Sequence, residues 1–304
     1  MDPIKIILPP TRPKHATNAW EALMADDDGI LEGDTATFTF DTKVAEGDLC
    51  DIYRGTYNGR PAALKVSHGV DVNDLVEHEA DVIRHLFPAE EANVGFLRYL
   101  SKLSYSFHDE REGKRINVFP WLGEHVSVAD ILKAYPGGIE YQNMVWMFKR
   151  GLEGLGYVHE KNVIHGAVLP PHLLIHPADH GAKLIDWSYA VLNADARRNK
   201  VRAMSAPWRS FYAPEIPGKG IPTAATDIYM LAKCMVALQG GDVTTDAMPD
   251  TTPEPIQRFL RECLSPMQHL RPNSAWDLVE EFNALLRSVI GPPKYFKFEM
   301  SPKV

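Results

Sequence analysis

The feature that most limits the fold of this chain is a change of hydrophobic rhythm at Gly123. Between Thr35 and Leu122 apolar and polar residues mostly alternate in short runs, as half-buried strands do. Phe38 and Phe40 alternate with polar residues, and residues 51–57 and 61–66 flank Asn58-Gly59. Asn-Gly is the strongest short hairpin signal, because both central residues of a tight hairpin turn need positive φ. Residues 98–107 and 115–122 read as two further strands around the polar loop 108–114. One helix interrupts them, over residues 71–87, where Leu75, Glu79, Val82 or Ile83 and Leu86 recur at helical spacing. Glu79 then lies on an otherwise apolar face, where a carboxylate needs a partner or a proton.

After Gly123 the rhythm turns helical. Residues 139–160 form a long helix carrying Val145, Phe148, Leu152, Leu155 and Val158. Short strands follow at 173–175 and 182–185, then helices at 226–239, 254–264 and 274–290. Gly291-Pro292-Pro293 stops the last of these. The expected fold class is α+β, with a β-rich part over 35–122 and an α-rich part over 123–290. Residues 1–34 read as an extension, broken by Pro3, Pro9, Pro10 and Pro13, with a short helix over 16–25 and an acidic turn at Asp26-Asp27-Asp28-Gly29. It is either a surface-packed or mobile leader or a regulatory arm. Residues 291–304 form an aromatic and basic tail.

Composition narrows the functional classes. A chain of 304 residues with 45% hydrophobic and 24% charged content can bury a large core. Its net charge of −8 gives no reason to expect nucleic-acid binding. Cys50, Cys234 and Cys263 are scattered, so neither a disulfide framework nor a cysteine-based zinc site is expected, which suits a reducing cytoplasm. No apolar run approaches the roughly 18 residues of a membrane span, and the first ten residues lack the pattern of a signal peptide. The expected setting is cytoplasmic, with no membrane partner.

The chemistry-bearing residues come in a fixed order. Ala62-Ala63-Leu64-Lys65 is followed by Glu79, 14 residues on. Next come Val163-Ile164-His165-Gly166-Ala167-Val168-Leu169-Pro170-Pro171-His172-Leu173-Leu174-Ile175 and Lys183-Leu184-Ile185-Asp186-Trp187-Ser188. Phe211-Tyr212-Ala213-Pro214-Glu215, Asp227 in Thr226-Asp227-Ile228-Tyr229, and Arg271 in Leu270-Arg271-Pro272 complete the series. Together they resemble the eukaryotic-type Ser/Thr protein kinases over roughly residues 38–290, with the frames of V-A-I-K, H-R-D-L-x-x-x-N, D-F-G and A-P-E.

The resemblance implies a bilobal protein-kinase-like fold, with a small β-rich N-lobe carrying one key helix and a larger helical C-lobe. It implies ATP and Mg²⁺ as cofactors. Lys65 would touch the ATP phosphates, held by Glu79, and Asp186 would bind Mg²⁺. Both have structural alternatives: a Lys–Glu pair between strand and helix, and an Asp hydrogen-bonded within the fold. Gly47 is the one glycine left in the phosphate-covering loop 44–52, where Glu46, Asp48 and Asp51 add negative charge. His165, Glu215, Asp227 and Arg271 would be structural.

Most of the catalytic chemistry is absent from this frame. Gly166 replaces the Arg that reads an activation-loop phosphate, and Ala167 replaces the Asp that accepts the substrate proton. Leu169 replaces a Lys that neutralises the transferred group. His172 replaces the Asn that holds a second Mg²⁺, and neutral imidazole is a poor ligand for that hard cation. Ser188 stands where D-F-G has its glycine, and the polar stretch 240–252 lacks the helix that helps kinases dock peptides. Arg197, Arg198, Lys200, Arg202 and Arg209 form a basic segment with no acidic residue from 196 to 214. It is a solvated loop or a docking surface for an acidic protein partner or phosphate-bearing ligand. His159, His165, His172, His176 and His180 invite a metal site, although their spacing crosses helix, loop and strand. The leading expectation is a pseudokinase acting as a regulator or scaffold with weak nucleotide binding. The alternatives are an ATP-dependent protein kinase or nucleotidyl transferase with an unusual mechanism, and a kinase fold that binds nothing.

Overall fold

A computed structural model describes residues 4–7, 36–87, 95–194 and 199–300. They divide into two compact units. The first holds the described residues up to Ala80, Phe87 and Lys102–Leu122; the second holds Asp81–Leu86, residues 95–101 and the chain from Gly123 onward.

The first unit is an antiparallel sheet. Its strands are β1 (Ile4–Ile7), β2 (Thr37–Glu46), β3 (Cys50–Tyr57), β4 (Arg60–Ser67), β5 (Tyr105–Asp109) and β6 (Lys114–Pro120), in the order β1-β2-β3-β4-β6-β5. The β3–β4 hairpin turns at Asn58 and Gly59, with φ of 48° and 79°, as a primed turn requires. Period-two alternation puts Phe38, Leu64, Phe107 and Val118 in one buried cluster. The Phe38 and Phe107 rings stack at 4.7 Å. β1 pairs Ile4–Ile7 with Thr37–Phe40, so a strand lies inside the segment read as an extension. The helix expected over 16–25 falls outside the described residues.

Helix α1 (Asn73–Leu86) places Val76, Glu79, Ala80, Val82, Ile83 and Leu86 on its buried side, as its spacing requires. The strand expected over 98–107 is only half right. Gly95–Tyr99 is a 3-10 turn and pairing in β5 starts at Tyr105. The Lys183 ammonium binds the Arg98 and Leu100 carbonyls, and Tyr99 turns its hydroxyl to Glu153, so this stretch is committed to the second unit.

The second unit contains β7 (Val126–Ser127), α2 (Val128–Ala134), α3 (Tyr141–Glu160), β8 (Val163–Ile164), β9 (Leu173–His176), β10 (Gly181–Leu184), β11 (Val191–Leu192), α4 (Ala224–Leu238), α5 (Glu254–Cys263) and α6 (Ala275–Val289). Helix α3 is its axis. A Cβ at Gly156 would lie 2.5 Å from the Trp276 ring, so glycine there permits the close approach of α6. Phe148, Phe259 and Phe282 join α3, α5 and α6 through ring contacts of 5.0–6.3 Å. Residues 240–252 form turns around an Asp242–Ala247 bridge, with no helix, as expected. Buried Lys233 anchors them through the Val243 carbonyl at 2.6 Å and the Asp246 carboxylate. The tail also docks: Phe298 is buried, and the Phe296 carbonyl accepts from His180 Nε2 at 2.7 Å. Among the described residues no helix is long and apolar enough to cross a membrane.

Candidate nucleotide site

In the first unit the β4–α1 pairing brings Lys65 and Glu79 together. Lys65 Nζ lies 3.0 Å from Glu79 Oε1, with only 6% and 1% of the two residues exposed. Sequence reasoning missed the third member. Asn117 stands opposite Lys65 in the β4–β6 register and donates to Glu79 Oε2 at 2.9 Å and to the Val76 carbonyl at 2.8 Å. Its own carbonyl accepts from Ser106 Oγ at 2.7 Å. A lone polar residue between Ile116 and Val118 was the available signal. Breaking such a buried charge pair costs several kcal/mol, so the cluster holds the helix on the sheet as well as positioning an ammonium.

The β2–β3 turn carries Gly47, whose N–H donates to the Cys50 carbonyl at 2.9 Å. The acidic surroundings expected here need correction. Lys43 sits 2.7 Å from Glu46 and 2.8 Å from Asp51, and His68 lies 3.3 Å from Asp51. The Lys43 hydrogen bond holds the Asp51 carboxyl below the usual range, and Asp51 in turn raises Lys43. Two of the three acidic side chains are therefore already paired with a cation.

In the second unit the loop after β8 is pinned by Asp227, in the first turn of α4. Asp227 accepts from the backbone N–H groups of His165 at 2.8 Å and Gly166 at 2.9 Å, and from His159 Nε2 at 3.0 Å. Gly166 has φ 73°, and a Cβ there would come within 2.8 Å of Val201. The position that bears Arg in the kinase frame is thus shaped for glycine. His165 is fully buried, donates to the Ile185 carbonyl at 3.0 Å and packs 4.3 Å from the Trp187 ring. Burial pushes its pKa down to about 4, so it is a neutral structural group.

The degenerate positions fill space or close contacts. Ala167 and Leu169 are fully buried. His172 Nδ1 donates to the Ala167 carbonyl at 2.8 Å, which turns Nε2 toward Asp186 Oδ2 at 3.6 Å. Asp186 has φ 64°, a left-handed value that Asp tolerates better than most residues and that marks local strain. Its Oδ1 accepts from the Ser188 N–H at 3.3 Å. A carboxylate is thus presented beside an imidazole, where the kinase frame has Asp beside Asn. Among the described residues no three metal-ligating side chains cluster. Each of the five histidines has its own contacts: His159 with Asp227, His165 with Ile185, His172 with Ala167, His176 with Glu124, and His180 with Phe296.

Arg271 grips Glu215 with two hydrogen bonds of 2.8 and 2.7 Å, and its guanidinium lies 4.8 Å over the Tyr229 ring. Burial opposes ionisation of Glu215, but Arg271 and Thr226 outweigh it and hold the carboxyl below its ordinary value. Lys200, Arg202 and Arg209 are exposed, while Arg197 and Arg198 lie outside the described residues.

Searched against family models, the chain matches none. Curated relatives do match. The Ser/Thr-protein kinase PknG of Mycolicibacterium smegmatis is 25% identical over 278 residues, 86% of this chain and 34% of that protein. Cyclin-dependent kinase 15 of Homo sapiens is 29% identical over 155 residues, 49% of this chain and 32% of its own length. The Ser/Thr-protein kinase STY17 of Arabidopsis thaliana is 21% identical over 301 residues, 91% of this chain and 48% of its own length. The chain spans a third to a half of these relatives. These matches, with the sheet unit, the helical unit and the ordered landmarks on them, relate the chain to the protein kinase superfamily.

Proposed function

We propose that this chain is a pseudokinase: a kinase-like protein that holds a nucleotide weakly and acts as a non-catalytic regulator or scaffold. One observation carries the reading. The loop that would supply the catalytic base is closed by apolar residues, with Ala167 and Leu169 fully buried and the Ala167 carbonyl bound by His172. No carboxylate stands at the base position to accept a substrate proton, and no ammonium stands at position 169 to offset charge on a transferring group.

The residues present fit a nucleotide in part. Lys65, held by Glu79 and Asn117, would meet its phosphates, and Asp186 would hold one Mg²⁺. Mg²⁺ would neutralise phosphate charge when bound. His172 opposes full metal loading, because its imidazole already faces Asp186 Oδ2. Exposed Lys200, Arg202 and Arg209 support a protein partner with an acidic face.

Incubation of the full chain with ATP and Mg²⁺, followed by intact-mass analysis of the protein and a panel of substrates, tests the reading. The expected result is no phosphoryl or AMP adduct above a Lys65→Ala control. An adduct abolished by both Lys65→Ala and Asp186→Asn would overturn it in favour of an unusual transferase.

A further inference from the structure

A second site lies wholly within the helical unit. A cavity of about 250 Å³ is lined by Arg98, Tyr99, Arg150, Asp179, His180 and Lys183, among others. Its walls are the 3-10 turn Gly95–Tyr99, helix α3 and the β9–β10 turn. Two arginines and a lysine line a small space on a protein whose net charge is −8.

The charges there are not balanced. Arg98 Nη2 and Arg150 Nη1 both donate to the same Tyr99 hydroxyl, at 2.9 and 3.1 Å, which draws two guanidinium groups together. Of the lining cations Glu153 pairs only with Arg150, at 2.7 Å; it also lies 3.9 Å from Lys149 and accepts from the Tyr99 hydroxyl. Lys183 Nζ is satisfied by carbonyls alone, those of Arg98 at 2.6 Å and Leu100 at 3.1 Å. Neither Arg98 nor Lys183 has a carboxylate within ion-pair distance among the described residues. Asp179 is engaged by the Gly181 N–H at 2.7 Å and by His176 at 2.8 Å, with its side chain 68% exposed. Desolvation lowers the Lys183 pKa, and the nearby Asp179 carboxylate offsets this only in part. His180 forms a rigid wall, its ring stacked between Trp146 at 4.0 Å and Tyr295 at 4.3 Å.

We infer that this cavity binds a compact dianion, a small phosphate monoester. Such a group carries roughly −1.5 to −2 at pH 7, enough to answer the two uncompensated cations. Its oxygens suit the forked donors of two guanidinium groups. The cavity is below the roughly 300–1,000 Å³ of pockets for larger ligands, which favours a small molecule. No residue of the nucleotide site takes part, so the inference does not depend on nucleotide binding.

Calorimetric titration of the full chain with inorganic phosphate, glycerol 3-phosphate and glycerol tests it. Both phosphates are expected to bind and glycerol is not. Arg98→Gln and Lys183→Gln should each weaken binding roughly tenfold or more, the loss of one charged hydrogen bond, while Arg258→Gln, at an exposed position of α5, should leave it unchanged. If Lys183→Gln disturbs folding by freeing the two carbonyls, Arg98→Gln carries the test. Absence of heat with either phosphate, or equal affinity in wild type and Arg98→Gln, would overturn the inference.

Discussion

Lys65, Glu79 and Asn117 form a closed polar cluster in the sheet unit, every member buried and hydrogen-bonded. In the helical unit the loop from His165 to His172 keeps its backbone anchors on Asp227, but alanine, leucine and imidazole stand at its chemical positions. The difference separates two kinds of residue. Those that remain close a backbone turn or complete a buried pair, so their loss would damage the fold itself. Those replaced serve a kinase through chemistry alone, and their substitutes pack into the core without leaving a polar group stranded. A lysine that pins a helix through a buried pair belongs to the first kind, so its presence is weak evidence of turnover.

The largest effect is expected at the anchors. Arg271→Ala leaves the Glu215 carboxylate without its cation, still held by Thr226, and removes the guanidinium over Tyr229; it should cost roughly 3–5 kcal/mol of unfolding free energy in a denaturant melt. A loss within experimental scatter would show that the anchor is dispensable. Acid is the next lever. The His165 pKa is pushed from 6.5 to about 4 in the folded protein. As pH falls through that window the unfolded chain takes up a proton that the folded chain refuses, so stability present above pH 6.5 is progressively lost. The contribution is about 3 kcal/mol, and a pH series of melts should show a steeper acid loss in wild type than in His165→Gln, which keeps His125, also pushed down to about 4.

Two substitutions sharpen the contrast at the chemical positions. Ala167→Asp restores the residue type of a catalytic base but buries a carboxylate where a fully enclosed methyl sat. It should destabilise by roughly 1–3 kcal/mol if the carboxyl is protonated and by more if it is ionised, without producing transfer, because Leu169 and His172 remain. Recovery of phosphoryl transfer would show that one residue alone silences the loop. The smallest effect is expected from His172→Asn, which removes the imidazole facing Asp186 and supplies an oxygen ligand. Mg²⁺ should then enhance nucleotide binding more than it does in wild type, read as the ratio of dissociation constants with and without the metal.

Much of the fold was legible because local signals agreed with tertiary needs. Asn58-Gly59 marks a turn that needs two positive φ values, and the face holding Val82, Ile83 and Leu86 has one place to go. The carboxylate on that face announced a partner, and Lys65 with Asn117 supplies it. Reading failed where distant groups decide. Residues 98–104 alternate like a strand, yet Lys183 and Glu153, far along the chain, claim their polar groups. The acidity of the β2–β3 turn misled because Lys43, on the strand before it, folds back onto Glu46 and Asp51. The cationic cavity gave no local sign, since Arg98, Arg150 and Lys183 come from three elements that only the fold assembles.

A thermal-shift titration with ATP, ADP and GTP, with and without Mg²⁺, on wild type and Lys65→Ala asks whether Lys65 meets a nucleotide. A ligand at about 100 times its dissociation constant adds roughly 2.7 kcal/mol, a readable shift. The expected result is a shift in wild type that Lys65→Ala abolishes and that Mg²⁺ enhances only modestly, since His172 faces Asp186, the carboxylate proposed to hold the metal. No shift with any nucleotide, or an equal shift in Lys65→Ala, would contradict it and leave Lys65 and Glu79 as a purely structural pair.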